Sequence, residues 1–234
     1  MGNGTASDVS VEVSLERPRK LGDIVLDQVR ELIVSKRLPP GERLSEAKIA
    51  SMLGVSKTPV REALLQLRMI GLVSMIDGNA HVVVPSARLI REAYEVRAGL
   101  EALTARLAAE RADTARRAQL LPLAEESLQA AQANDAERFR TLDQQFHHAV
   151  ALASNNATAQ QRIDETLVLC QTLRRRDVLT GWDSQLCGQA HVAVAEAINS
   201  GDAETASREM YTHINYVMEK VLSALAGQQG AQGA

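Results

Sequence analysis

Cysteine is scarce in this chain: the 234 residues contain two, Cys170 and Cys187, both in helical patterns and without metal-ligand spacing. They read as reduced packing residues, which fits a cytoplasmic protein rather than a secreted disulfide scaffold. Long apolar runs are absent too. No stretch reaches membrane-spanning length, and the N-terminus reads Gly, Ser, Asp and Glu where a signal peptide would need a basic region followed by an apolar run. A membrane partner is therefore not expected. An excess of one charge is also missing: the net charge is −3, so the whole chain is no polycation. Strand signals are missing from everything beyond Pro85-Ser86.

What is present is 45% apolar content on a length sufficient for two modest domains with real cores. Charge is distributed unevenly. Residues 17–68 carry eleven Lys/Arg against six Asp/Glu, a balance of +5, so the acidic excess lies elsewhere. That asymmetry places a nucleic-acid face at the N-terminal end. The stretch from Leu53 to Leu67 within it is punctuated as a helix pair. Gly54 ends a short apolar helix, Ser56 or Thr58 can cap the next, and Pro59 is tolerated in a first turn whose N–H groups have no intrahelical partner. Val60, Ala63, Leu64 and Leu67 form the inner face, leaving Lys57, Thr58 and Arg61 at the exposed N-terminal end. An ordinary amphipathic helix pair has the same pattern, so the flanks decide. Upstream, Leu21 to Ser35 reads as a first helix, and Arg37 to Glu46 supplies a breaker and a new cap. Downstream, β-branched runs flank Asp77-Gly78, a two-residue hairpin signal. Three helices followed by a β-hairpin make a winged helix-turn-helix.

The runs Pro40-Gly41-Glu42-Arg43-Leu44-Ser45-Glu46, Ser56-Lys57-Thr58-Pro59-Val60-Arg61-Glu62-Ala63-Leu64 and Gly71-Leu72-Val73 resemble the DNA-binding domain of GntR-superfamily transcription regulators, over residues 19–85. The resemblance implies contacts to double-stranded operator DNA. Lys57 and Arg61 would meet base edges or phosphates, Ser56 and Thr58 would hold the backbone at the helix N-terminus, and Arg43 completes the set. Two positions depart from the family pattern: Ala47 stands where an arginine often touches DNA, and Asp77, Gly78 and Asn79 fill a wing tip that is usually basic.

Residues 1–18 read as a flexible arm, with a strand from Val9 to Val13 as the alternative. Residues 86–226 read as an all-α antiparallel bundle of six helices: Arg88 to Arg111, then one toward Ala133 bent near Pro122, Ala136 to Ser154, Thr158 to Leu179 closed by Gly181, Ser184 to Ser200, and Ala203 to Leu225. The Gly/Gln/Ala tail, residues 227–234, reads as disordered.

Five histidines are present: His81, His147, His148, His191 and His213. Asp143 and His147 sit one turn apart on one face and could share an ion, although core histidines satisfied by hydrogen bonds give the same spacing. Four runs, Tyr94 to Glu101, Asp143 to His147 with Asn156 beyond, His191 to Asp202, and Met210 to His213, resemble the effector domain of the FadR-like branch, called FCD. By that resemblance Asp143, His147, His191 and His213 hold a divalent metal. Their donor atoms suit Zn²⁺, Ni²⁺ or Mn²⁺ without choosing among them; Zn²⁺ is the first expectation, with Ni²⁺ or Mn²⁺ as alternatives. Arg97 offers a fork to an acidic effector or a salt bridge to Glu101 on the same helix, and both readings stand. Asn156 either adds a hydrogen bond to the effector or ends a helix in the left-handed region. Arg174, Arg175 and Arg176 read as a solvated charge run rather than a cavity lining. The expectation is a cytoplasmic homodimeric repressor that binds an inverted repeat and senses a small carboxylate metabolite at the metal. The alternatives are a metal-free site for an apolar or acyl effector, and a metal-dependent hydrolase with Glu101 as base.

Overall fold

The computed structural model describes residues 20–177 and 184–232. The expected arm over residues 1–18, with its alternative strand from Val9 to Val13, and the helix stop at Gly181 lie outside the described residues, as do the side chains of Arg175 and Arg176. Among the described residues the elements run α1 (Leu21–Val34), α2 (Glu46–Leu53), α3 (Lys57–Met69), β1 (Val73–Ile76), β2 (Asn79–Val82), α4 (Ala87–Arg111), α5 (Thr114–Gln132), α6 (Ala136–Ala153), α7 (Ala157–Asp177), α8 (Ser184–Ser200) and α9 (Ala203–Gln232). This is a mainly helical chain with one small hairpin after an N-terminal helix-turn-helix. Among the described residues no helix is long and apolar enough to cross a membrane.

The turn between α2 and α3 follows its residues closely. Gly54 sits at φ +66°, and its N–H bonds to the Ala50 carbonyl, stopping α2 in a conformation that a side chain would strain. α3 starts at Lys57 with Ser56 in the capping position, but the Ser56 hydroxyl caps nothing and Thr58 lies inside the first turn. Pro59 follows within that same turn, where a missing N–H costs no helix bond. Val60, Ala63, Leu64 and Leu67 are buried in the same apolar cluster as Val25, Val29, Ile33 and Ile49 of α1 and α2. In the hairpin, Asp77 at φ +49° and Gly78 at φ +74° form the turn that matches strand twist, pairing Ile76 with Asn79 and Val73 with Val82. The segment preceding α2, expected only to break and cap, also pairs with β2. The N–H groups of Gly41 and Leu44 donate to Val82 and Ala80 at 2.8 and 2.7 Å, and Val82 donates to Glu42 at 2.9 Å.

Among the described residues, five of the six bundle helices start on side-chain caps. Ser86, Asp113 and Asp135 accept from Leu89, Arg116 and Arg138, and Asp202 accepts from Thr205 at 3.0 Å after the left-handed Gly201. One assignment changes. Asn155, not Asn156, takes the left-handed conformation (φ +51°), and the Asn156 carboxamide oxygen caps α7 by accepting from Ala159 at 3.1 Å. α5 continues unbroken through Pro122. α9 runs past Leu225 to Gln232, so most of the segment expected to fray extends the helix; Gln and Ala are good helix formers, and each residue added to an existing helix gains a bond.

α4 lies along α9 and is flanked by α6 and α7, while α5 packs on α6 and α8. The α5–α8 approach is close. A Cβ on Gly188 would stand 2.7 Å from the Leu128 Cα, so only glycine fits. Most buried apolar residues form one continuous cluster from α1 to α9, with a second, small one of Ala151, Ile163 and Leu167 between α6 and α7. At its seam α1 touches α7, and the turn at Gly71 lies against Leu169.

Candidate functional site

α6 turns Asp143 and His147 onto its buried face beside Phe146, α8 contributes His191 and α9 contributes His213. None of the four side chains is more than 3% exposed. Their ligand atoms all lie within 4.8 Å of one another. The Nε2 atoms of His147 and His213 face each other at 3.4 Å, and Asp143 Oδ1 lies 3.8 and 3.6 Å from Nε2 of His147 and His191. Donors placed about 2.1 Å from one cation would be separated by about 3.0 Å at octahedral and about 3.4 Å at tetrahedral edges. The separations of 3.4, 3.6 and 3.8 Å thus stand within a few tenths of an ångström of tetrahedral edges.

Polar bookkeeping tests the fit. His191 Nε2 is buried without a hydrogen-bond partner, a costly state for an isolated polar atom; His213 Nδ1 is also unpaired, and an ion on its Nε2 would leave it so. Two imidazole lone pairs face to face repel unless a proton or cation lies between them. Against burial, Glu101 and Asp143 favour a proton on His147 in the metal-free site, while the supporting contacts aim the ring nitrogens at one point. Ser127 uses its hydroxyl hydrogen on the Ala124 carbonyl at 2.8 Å, so its oxygen accepts from His191 Nδ1 at 2.9 Å. His191 Nε2 is left with its lone pair toward the cluster. His147 Nδ1 likewise abuts the Glu101 carboxylate, turning its own Nε2 inward. Phe146 stacks on the His191 ring with centroids 4.5 Å apart.

Electrostatics follow the same plan. Burial pushes His191 down to about 3, with the neighbouring His147 charge adding to it. Burial likewise holds His213 well below its ordinary value. Burial opposes ionisation of Asp143, but Arg174 and His147 outweigh it and hold the carboxyl well below the usual range. Glu101 is also buried yet is held down to about 2 by Arg97 and His147. The result is two neutral imidazoles and two ionised carboxylates in a dry pocket, as metal ligation requires; His147 differs, because burial is outweighed by Glu101 and Asp143, which raise it toward the charged form, so an ion bound there must displace its proton.

Two expectations change here. Arg97 is fully buried, and its Nε donates to Glu101 at 2.6 Å, so of its two readings the structure contains the salt bridge. Arg174 is not on a solvated run: its side chain is 12% exposed, and Nη2 reaches Asp143 Oδ2 at 3.3 Å. Asn156 is occupied as a helix cap. Ser127 carried no sequence signal, and the link from Glu101 to His147 joins two helices that local spacing cannot relate.

At the other end of the chain, Ser56, Lys57 and Thr58 are exposed around the α3 N-terminus, and Arg43 is exposed opposite His81. Among the described residues the Ser56 and Thr58 hydroxyls have no protein partner. Arg61 projects from the same end with its side chain 70% exposed, but it forks onto Glu46, with Nε–Oε1 2.9 Å and Nη2–Oε2 2.8 Å. That fork keeps the Glu46 carboxyl below its ordinary value.

Comparison with known proteins matches residues 21–83 to the family of bacterial regulatory proteins called the gntR family, and residues 92–216 to the FCD domain. A protein described as an L-lactate dehydrogenase operon regulatory protein, from Escherichia coli (strain K12), is 31% identical across 86% of each chain. The HTH-type transcriptional repressor NanR of Citrobacter rodentium is 28% identical over 85% of this chain and 84% of its own. Among solved structures, E. coli McbR/YncC has the same fold with a TM-score of 0.69 at 23% identity, over 91% of this chain and all of that one.

Proposed function

The chain belongs to the gntR family of bacterial regulatory proteins and carries an FCD domain, and from that premise we propose a metal-dependent, ligand-responsive repressor that acts in the cytoplasm as a homodimer on an inverted-repeat operator. The protein is a DNA-binding transcriptional regulator and not an enzyme, which removes the hydrolase alternative. The observation that carries the metal reading is the convergence of His147, His191, His213 and Asp143, with ligand atoms within 4.8 Å of one another and His191 Nε2 buried without a hydrogen-bond partner. Asp143, His147, His191 and His213 would hold the ion, with Zn²⁺ first among candidates and Ni²⁺ or Mn²⁺ behind it. When bound, it would supply open positions that a small carboxylate effector can occupy. Arg97 then acts as a brace: it neutralises Glu101, which orients His147.

On the DNA side, α3 is the reading helix. Lys57 and Arg61 reach base edges or phosphates, Ser56 and Thr58 donate to the backbone at the helix N-terminus, and Arg43 touches the flanking phosphates. Arg61 must leave Glu46 to do this. The effector alters DNA affinity only by binding two arrangements of the dimer unequally. A relative named as a repressor supports that sign.

Fluorescence anisotropy on a duplex enriched from a random pool tests the reading. Arg61→Ala is expected to weaken binding about tenfold or more, as loss of a base-reading arginine does. Glu46→Gln should tighten binding at low salt by releasing Arg61 from its fork. Unchanged affinity in both variants would remove α3 as the reading helix.

A further inference from the structure

A crevice of about 230 Å³ opens between α1 and the α6–α7 pair, outside the histidine cluster. Three guanidinium groups line it, Arg30 from α1, Arg140 from α6 and Arg174 from α7, against the single carboxylate of Glu137. Thr141, Thr172 and two glutamines add neutral hydrogen-bonding groups, and Val168 is the one apolar side chain in the lining. Arg30 has a local partner in Asp27 at 3.1 Å and Arg174 reaches Asp143 at 3.3 Å, whereas Arg140 makes no ion pair among the described residues. Convergent guanidiniums in a concave, partly desolvated wall create a positive potential and a set of planar forks suited to carboxylate or phosphate oxygens. The size lies below the usual range for drug-sized ligands, roughly 300–1,000 Å³, and the lining is too polar for an acyl chain.

We infer that this crevice binds a small polyhydroxylated anion, its carboxylate or phosphate held by Arg30, Arg140 and Arg174 and its hydroxyls by the threonines and glutamines. The ligand would span a boundary, because Arg30 belongs to the helix-turn-helix part and the other two arginines to the bundle. An anion held across them ties the DNA-binding helices to α6 and α7 and so biases their relative placement. Arg174 adds a second coupling, which rests on the metal reading proposed above. A cation on Asp143 loosens that carboxylate's hold on Arg174 and lets the guanidinium turn to the crevice, so metal and anion should each tighten the other by the same factor.

Isothermal titration calorimetry on the full-length chain tests this with tartrate and glycerol 3-phosphate as probes and glycerol as the neutral control. The same titrations are run on Arg30→Gln and Arg140→Gln, before and after Zn²⁺ loading, with metal content read by elemental analysis. Both substituted side chains reach solvent, so the variants should keep the wild-type circular dichroism. At least one anion should bind and glycerol should not, and each substitution should weaken binding about tenfold, the loss expected for one charge-assisted hydrogen bond, at unchanged metal content. Tartrate alone binding identifies a carboxylate ligand, and glycerol 3-phosphate binding identifies a phosphate. Equal affinity in both variants, or no heat from either anion at about 10 mM, an affinity too weak for a specific site, would overturn the proposal. Anion binding that ignores Zn²⁺ would overturn the Arg174 coupling and leave the crevice. Absence of Zn²⁺ uptake, by contrast, would count against the metal centre alone.

Discussion

Ser127 shows how much one small side chain can settle. Its hydroxyl hydrogen is already given to Ala124, so it can only accept from His191, and that fixes which imidazole nitrogen faces the cluster. Ser127→Ala removes this constraint without burying a charge. Metal affinity should fall about 10- to 100-fold, as for other groups that orient a ligand, in competition with a chromophoric chelator. Unchanged affinity would mean that stacking on Phe146 holds the ring by itself. Glu101→Ala is a poorer probe because it would strand the buried Arg97 guanidinium and destabilise the fold. At this scale the sequence was partly legible. The Asp143 and His147 spacing puts both on one helix face, but His191 and His213 come from other helices and were placed by resemblance. Arg174 looked solvated because a run of three arginines hides which one turns inward.

Helices are the scale at which the sequence reads best. Gly54, Gly201-Asp202, Asp113 and Asp77-Gly78 each end or start an element where they stand, since a left-handed residue or an oxygen cap acts on its immediate neighbours. Contacts between elements escape such reading. The strip of backbone before α2 pairs with β2 through main-chain groups, which leave no mark in side-chain pattern. Gly188 is similar: in the sequence it is a mild helix breaker, yet in the fold it lets α8 approach α5. That approach brings His191 to Ser127, a residue beside Leu128. Gly188→Ala should therefore push the two helices apart, costing about 1–3 kcal/mol as overpacking does. Thermal unfolding should record the loss, with weaker metal binding alongside it. A melting temperature equal to wild type would show that α5 and α8 can separate without strain.

Across the whole molecule, charge and packing divide the labour. The basic excess lies in residues 17–68, and α3 shows its cations there, partly masked by Glu46. The bundle buries its ionised groups around the histidines, far from any role in nucleic-acid binding. Between the two, α1 against α7 and Gly71 against Leu169 make a continuous core, so a change at α6 or α7 has a mechanical route to the helix-turn-helix. The central claim is that a cation on the four buried ligands completes this bundle. A ligand that binds only the folded state at about 100 times its Kd adds about 2.7 kcal/mol, which for a chain of this size raises the melting temperature by roughly 5–10 °C. The most direct measurement is elemental analysis of the purified protein beside a His191→Ala, His213→Ala double variant, each melted with and without chelator. Near-stoichiometric metal in the wild type, a melting temperature that chelation lowers, and neither property in the double variant are the predicted results. Wild type without metal after Zn²⁺ loading, or a double variant that keeps it stoichiometrically, would contradict the account.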